Sequence, residues 1–185
     1  MKRLISLAMV LFCSAAIAGG DHHNHEHKKH KHDHGRKHKS HGHKAHVHGK
    51  GNLNVVVAGN EIQLEFEIPM ESLVGFEHKP KTKTQKKRVA KLQESLKDPA
   101  NVVLFDKSLG CALKDYEEEI EYDGDHSEWE GEYKFKCKDG TRIKSFEVTL
   151  LKNQKKLHNL KVQLVHGNVQ KVYKLSHKKR IVDGF

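Results

Sequence analysis

Thirty consecutive residues, 21–50, carry almost no apolar side chain, and this limits what the chain can fold into. The segment reads DHHNHEHKKHKHDHGRKHKSHGHKAHVHGK. It buries too little surface to offset the entropy of ordering, so it is expected to be disordered without a ligand. Any hydrophobic core must come from the residues that follow. What the segment has instead is imidazole. Twelve of the chain's 17 histidines lie in it: His22, His23, His25, His27, His30, His32, His34, His38, His41, His43, His46 and His48.

Imidazole nitrogen is the commonest protein ligand for zinc, copper and nickel. His-x-His occurs six times, at His23/His25, His25/His27, His30/His32, His32/His34, His41/His43 and His46/His48. Two nitrogens at that spacing reach one ion from an extended chain. A tetrahedral zinc shell needs four, and overlapping pairs supply several such sets. Binding of several exchangeable ions is expected. Lysine or serine would serve a merely solubilising linker as well, so the imidazole clustering points to metal. Affinity order alone would favour copper or nickel over zinc.

Ahead of this segment, Lys2 and Arg3 give a basic start, Leu4 to Phe12 is mostly apolar, and Ala16-Ile17-Ala18 fits a small-x-small cleavage pattern. Residues 1–18 read as a secretory signal peptide, and the apolar run is too short to span a membrane. A lipoprotein reading would use Cys13, but bulky Phe12 stands where a small residue belongs. No second apolar run of spanning length follows. The expected location is a bacterial periplasm. Export removes Cys13 and leaves Cys111 and Cys137, and an even count in an oxidising compartment predicts one disulfide. The alternative is a pair of buried thiols. A zinc-thiolate site lacks the C-x-x-C pair it would need.

The formal net charge is +10. A basic chain can meet nucleic acid or an anionic surface. Export argues against nucleic acid, and no aromatic residue interleaves the basic run to stack on bases.

The folded part is expected over residues 46–185, with 19–45 as the metal-binding segment before it. Leu53, Val55 and Val57 alternate, Gly59-Asn60 marks a turn, and Ile62, Leu64, Phe66 and Ile68 alternate again, which predicts a β-hairpin. If the first strand reaches back to Ala45, Val47 shares the inward parity of Leu53, and His46 and His48 both project outward. Glycines at 49 and 51 allow a bulge instead. Residues 70–80 read as a connection or a short turn of helix. Thr82 and Gln85 fit a capping box for a helix from about Lys83 to Lys97, with Val89, Leu92 and Leu96 buried. Asp98-Pro99 stops it.

Further strands are predicted over Cys111 to Tyr122, Glu128 to Cys137, Phe146 to Leu150, Leu160 to Leu164 and Val169 to Leu175. The fold class is therefore mainly β (α+β): an antiparallel, sandwich-like single domain with one clear helix. About 135 residues after Lys50 suffice for it.

Within this domain, His46 and His48 sit at the start, His78 follows Glu77, and His126 lies in an acidic loop. If they converge they make a nitrogen-rich metal site with one carboxylate. For any single one of His78, His126, His158, His166 and His177, a surface or packing role is at least as expected as a ligand role. No H-E-x-x-H, G-x-S-x-G or phosphate-cradling glycine loop is present, and no enzymatic activity is expected.

A resemblance adds to this. The matching features are His46-Val47-His48-Gly49 leading into Leu53-Asn54-Val55, and Leu73-Val74-Gly75-Phe76-Glu77-His78-Lys79-Pro80. Tyr133-Lys134-Phe135-Lys136-Cys137, with Cys111 upstream, completes them. In this order, after a leader and a His-rich segment, the chain resembles the ZrgA-type zinc-binding proteins of the bacterial periplasm. The resemblance implies Zn²⁺ binding linked to uptake under scarcity, alongside an ABC-type importer and its own binding protein. It also implies His46, His48, Glu77, His78 and His126 as ligands. One departure stands out: the region Glu117–Glu130, where such proteins often carry a second His-rich insert, is acidic here and keeps only His126.

The expected function is thus capture and buffering of Zn²⁺ in support of uptake. Copper or nickel sequestration for metal tolerance is an alternative. So is a cationic surface-adhesion protein, whose binding would fall steeply with salt. A metalloenzyme would need an open coordination site, which a sequence cannot display. Oligomeric state is not legible.

Overall fold

A computed structural model describes residues 47–185. Residues 1–46, on which the expected signal peptide, the expected metal-binding segment 19–45 and His46 fall, lie outside the described residues.

Strict alternation builds the main sheet. β1 (Lys50–Ala58) buries Leu53, Val55 and Val57, and β2 (Glu61–Pro69) buries Ile62, Leu64, Phe66 and Ile68. Gly59 opens the two-residue turn between them at φ +59°, the left-handed start that a II′-type hairpin turn demands. α1 (Met70–Val74) follows at once, and Gly75 ends it at φ +85° with its N–H on the Glu71 carbonyl. α2 (Lys83–Leu96) has the expected capping box: the Thr82 hydroxyl accepts from the Gln85 N–H, and the Gln85 side chain accepts from the Thr82 N–H. Its buried residues are Val89, Leu92 and Leu96.

β3 (Leu104–Phe105), β4 (Ala112–Asp123), β5 (His126–Lys136) and β6 (Ser145–Glu147) come next. They are followed by α3 (Leu150–Asn153), β7 (Asn159–His166), β8 (Val169–Ser176) and β9 (Ile181–Asp183). Six strands form one sheet in the order β4-β5-β2-β1-β7-β8, and β3-β6-β9 form a second. All neighbours are antiparallel except β1 and β7, which run parallel from Lys50↔Asn159 to Val57↔His166. The mainly-β expectation with one long helix holds.

One face of the large sheet carries the core. Phe66, Trp129 and Tyr133 are fully buried on it, and the Tyr133 hydroxyl donates to the Leu96 carbonyl of α2 at 2.8 Å. The Trp129 ring lies across Gly131, where a Cβ would stand 2.2 Å from it. Phe105, Phe135 and Phe146 join the small sheet to this core. Cys111 and Cys137 are bonded, closing the base of the β4–β5 hairpin.

The opposite face is acidic. Glu117, Glu132 and Glu65 lie in one cross-strand row, and Glu119, Glu130 and Glu67 in the next. Like charges directly opposed repel. Burial pushes the neighbouring Glu128 carboxyl up to about 7, with the charges of Glu67, Glu130 and Glu121 adding to the shift. Among the described residues no helix is long and apolar enough to cross a membrane.

Two local expectations are corrected. β1 does not reach back to Ala45: residues 48 and 49 form a turn, the Lys50 N–H bonds the Val47 carbonyl, and Val47 is exposed rather than inward. The alternation of Phe146, Val148 and Leu150 is not one strand, because β6 ends at Glu147 and Leu150 opens α3. All three residues remain buried, so periodicity marked burial and not conformation. β8 is a strand as expected and forms the sheet's edge: Leu175 is buried, Tyr173 packs against the core, and Val169 and Val172 are exposed.

Candidate metal site

Three separate segments meet at Glu77. The first is the His48–Gly49 turn. Gly49 adopts φ +75° and its N–H bonds the Ser72 hydroxyl of α1 at 2.9 Å. Its carbonyl accepts from the N–H groups of His158 and Asn159 at 2.8 and 2.9 Å. The turn is therefore pinned from both sides, and His48 leaves it with its side chain 61% exposed. The second segment is the loop after α1, which the left-handed Gly75 turns back toward the sheet so that Glu77 points inward. The third is the start of β5, where Ser127 is buried and its hydroxyl donates to the Glu77 carbonyl. That bond sets Glu77 beside His126, the preceding residue.

The Glu77 carboxylate is only 10% exposed and lies between two open imidazoles. Its Oε2 accepts from His126 Nδ1 at 2.7 Å. Its Oε1 is 3.1 Å from His48 Nε2, within ion-pair range but off the line of a hydrogen bond, so Oε1 is a buried oxygen with no hydrogen-bond donor. A buried carboxylate oxygen without a partner is costly, and a cation relieves that cost. The Nδ1–H of His126 faces Glu77, which leaves its Nε2 lone pair for another partner. That nitrogen lies on the far side of the ring from Glu77, so for the carboxylate and His126 to share one ion the 2.7 Å hydrogen bond must give way and Nδ1 must present its lone pair.

The ligand types are assembled, but their atoms point at one another. Among the described residues no group of three or more His, Cys, Asp or Glu is arranged to hold a metal ion. Two imidazoles and one carboxylate also fall short of the four donors of a closed zinc shell.

His78 is placed elsewhere. Its Nδ1 donates to the Lys79 carbonyl at 2.9 Å, its Nε2 takes the Gln85 amide at 3.4 Å, and its ring stacks on Phe76. Both nitrogens thus serve the loop that leads into α2. Of the residues singled out from the sequence, the structure brings together His48, Glu77 and His126. His46 and the ten histidines from His22 to His43 lie outside the described residues. Sequence reasoning did not find Ser72 and Ser127, the two hydroxyls that fix the site's backbone. Neither a serine in a short helix, as Ser72, nor one in an alternating strand, as Ser127, carries a sequence signal of its hydrogen-bond partner.

These features define a β-rich domain that holds a buried carboxylate between two histidines at the start of its central strand. The family model described as "ZrgA family zinc uptake protein" matches residues 45–183, and the chain belongs to that family. No curated protein matches the chain.

Proposed function

We propose that the protein is a non-enzymatic, exported zinc-capture protein. In this reading the histidines of residues 22–43 collect and buffer Zn²⁺, and His48, Glu77 and His126 hold one ion in the folded domain. The ion would be passed to the binding protein of an ABC-type importer in the periplasm. Family membership supports the zinc role. The observation that carries the domain site is the buried Glu77 carboxylate, with one oxygen accepting no hydrogen bond, between two exposed imidazoles. On binding, neutral imidazole nitrogens and the carboxylate contribute three donors at most, and water or His46 would complete the shell. An incomplete protein shell suits cargo that must leave again.

Zinc titration of the full chain beside Glu77→Gln and a His48→Ala/His126→Ala double variant tests the site. Both variants should lose one bound ion per chain while the remaining ions stay. Unchanged stoichiometry and affinity in both would refute the domain site. Deleting residues 21–44 should remove most of the bound zinc, and an unchanged total would refute the collecting role. Competition with copper and nickel at equal free concentration identifies the preferred cargo.

A further inference from the structure

We propose a second metal seat made by His158 and His177, distinct from the Glu77 site and built for a late-transition cation such as zinc or copper. His158 stands at the start of β7, where its N–H bonds the Gly49 carbonyl. Its ring packs against Gly49, where a Cβ would stand 2.7 Å from the ring's Cδ2. His177 lies in the turn between β8 and β9, clamped by the paired backbone bonds of Ser176 and Lys179 at 2.8 and 3.0 Å. The two rings meet edge to face with centres 5.8 Å apart. His158 is exposed and His177 half-buried.

Two observations bear on a metal here, the first favouring it over simple ring packing and the second compatible with both. First, His177 Nε2 sits 3.2 Å from the Lys155 carbonyl. A carbonyl only accepts, so Nε2 carries the proton and Nδ1 keeps its lone pair. A backbone carbonyl on the far nitrogen is a common way to fix the tautomer of a metal-binding histidine. Second, the spacing fits. Two imidazoles on one tetrahedral ion at metal–nitrogen distances of ~2.0–2.1 Å have ring centres roughly 5 Å apart. The exposed His158 ring reaches that by turning about its side-chain torsions.

The nitrogen ligands set the pair's selectivity, and the positive charge around it lowers the affinity. Lys155 and Lys156 precede it, Lys178 and Lys179 follow His177, and the Lys156 ammonium is tied to Glu71 at 3.1 Å. Calcium and magnesium need oxygen ligands and gain nothing here. An ion that bonds neutral nitrogen strongly tolerates the setting, though weakly enough to exchange.

The test is imidazole ¹⁵N NMR of the full chain titrated with zinc. His158 and His177 should respond together, with the metal-bound shift at His177 Nδ1. His158→Gln, which keeps the backbone bond to Gly49, should abolish the response of His177, and His177→Gln that of His158. The responses of His48 and His126 should persist in both variants. The proposal is overturned if either ring responds undiminished without the other. It is equally overturned if neither moves at zinc levels that move His48 and His126. Silence at His48 and His126 with a coupled response at His158 and His177 would count against the Glu77 site alone.

Discussion

Glu77 shows how far a single residue can be read before a structure is seen. Its neighbour His78 is also polar and lies in the same loop, yet Glu77 turns inward while His78 bonds the Lys79 carbonyl and the Gln85 amide. The difference comes from the Ser127 hydroxyl on the Glu77 carbonyl and from Phe76 under the His78 ring, contacts that the order of residues does not encode. Two other positions yield predictions at this scale. Gly131→Ala puts a methyl group into the Trp129 ring, and the site cannot relax without moving a buried indole. Overpacking of this kind costs about 1–3 kcal/mol, which urea unfolding should register as a lower midpoint at unchanged slope. Glu128 titrates at about 7 because burial and three neighbouring carboxylates favour its neutral form. Its contribution to stability is whole below the ordinary carboxylate range and is lost as pH rises through about 7. Glu128→Gln should therefore raise the melting temperature more at pH 8 than at pH 5, and an equal gain at both would refute this.

At the scale of elements, the strands and the long helix were legible because each repeats its apolar period over many residues. Alternation locates β1, β2, β5 and β7 within a residue or two, and the Thr82–Gln85 pair marks the start of α2. Alternation does not say who pairs with whom. The parallel β1–β7 ladder has no local signature, since its partners are separated by about a hundred residues. Short elements also escaped: α3 borrows buried positions that suit a strand equally well. The disulfide was legible from the cysteine count and the expected export, and its place follows from the hairpin it closes. It spans a sequence separation of 26. Loop closure of that length stabilises by about 3.5 kcal/mol in the chain-entropy account. Reduction, or Cys111→Ser with Cys137→Ser, should lower stability on that scale, read by guanidinium unfolding with and without reductant.

The whole molecule joins two chemistries in one sequence, an imidazole-rich N-terminal segment and a folded domain with lysines at its edges and carboxylates across one sheet face. If the zinc reading is right, bound metal should leave on acidification. Imidazole ligates only when neutral, and ordinary histidine protonates near pH ~6.5. Zinc retained per chain should therefore fall between pH 7 and pH 5, measured by dialysis at fixed free metal. Retention that stays constant over this range would exclude histidine as the main ligand.

The parallel pairing of β1 with β7 has a consequence for the order in which the protein comes into being. β1 is made among the first strands and β7 among the last, so the sheet's centre closes only when nearly the whole chain exists. Contacts between such distant partners are slow to form. The turn bearing His48 is tied to that late event, because His158 and Asn159 are the residues that hold the Gly49 carbonyl. A truncated chain lacking β7 thus keeps its histidines but loses the bonds that fix the His48 turn. Under the proposed function, ion binding in the domain would report that β7 has joined β1 after export.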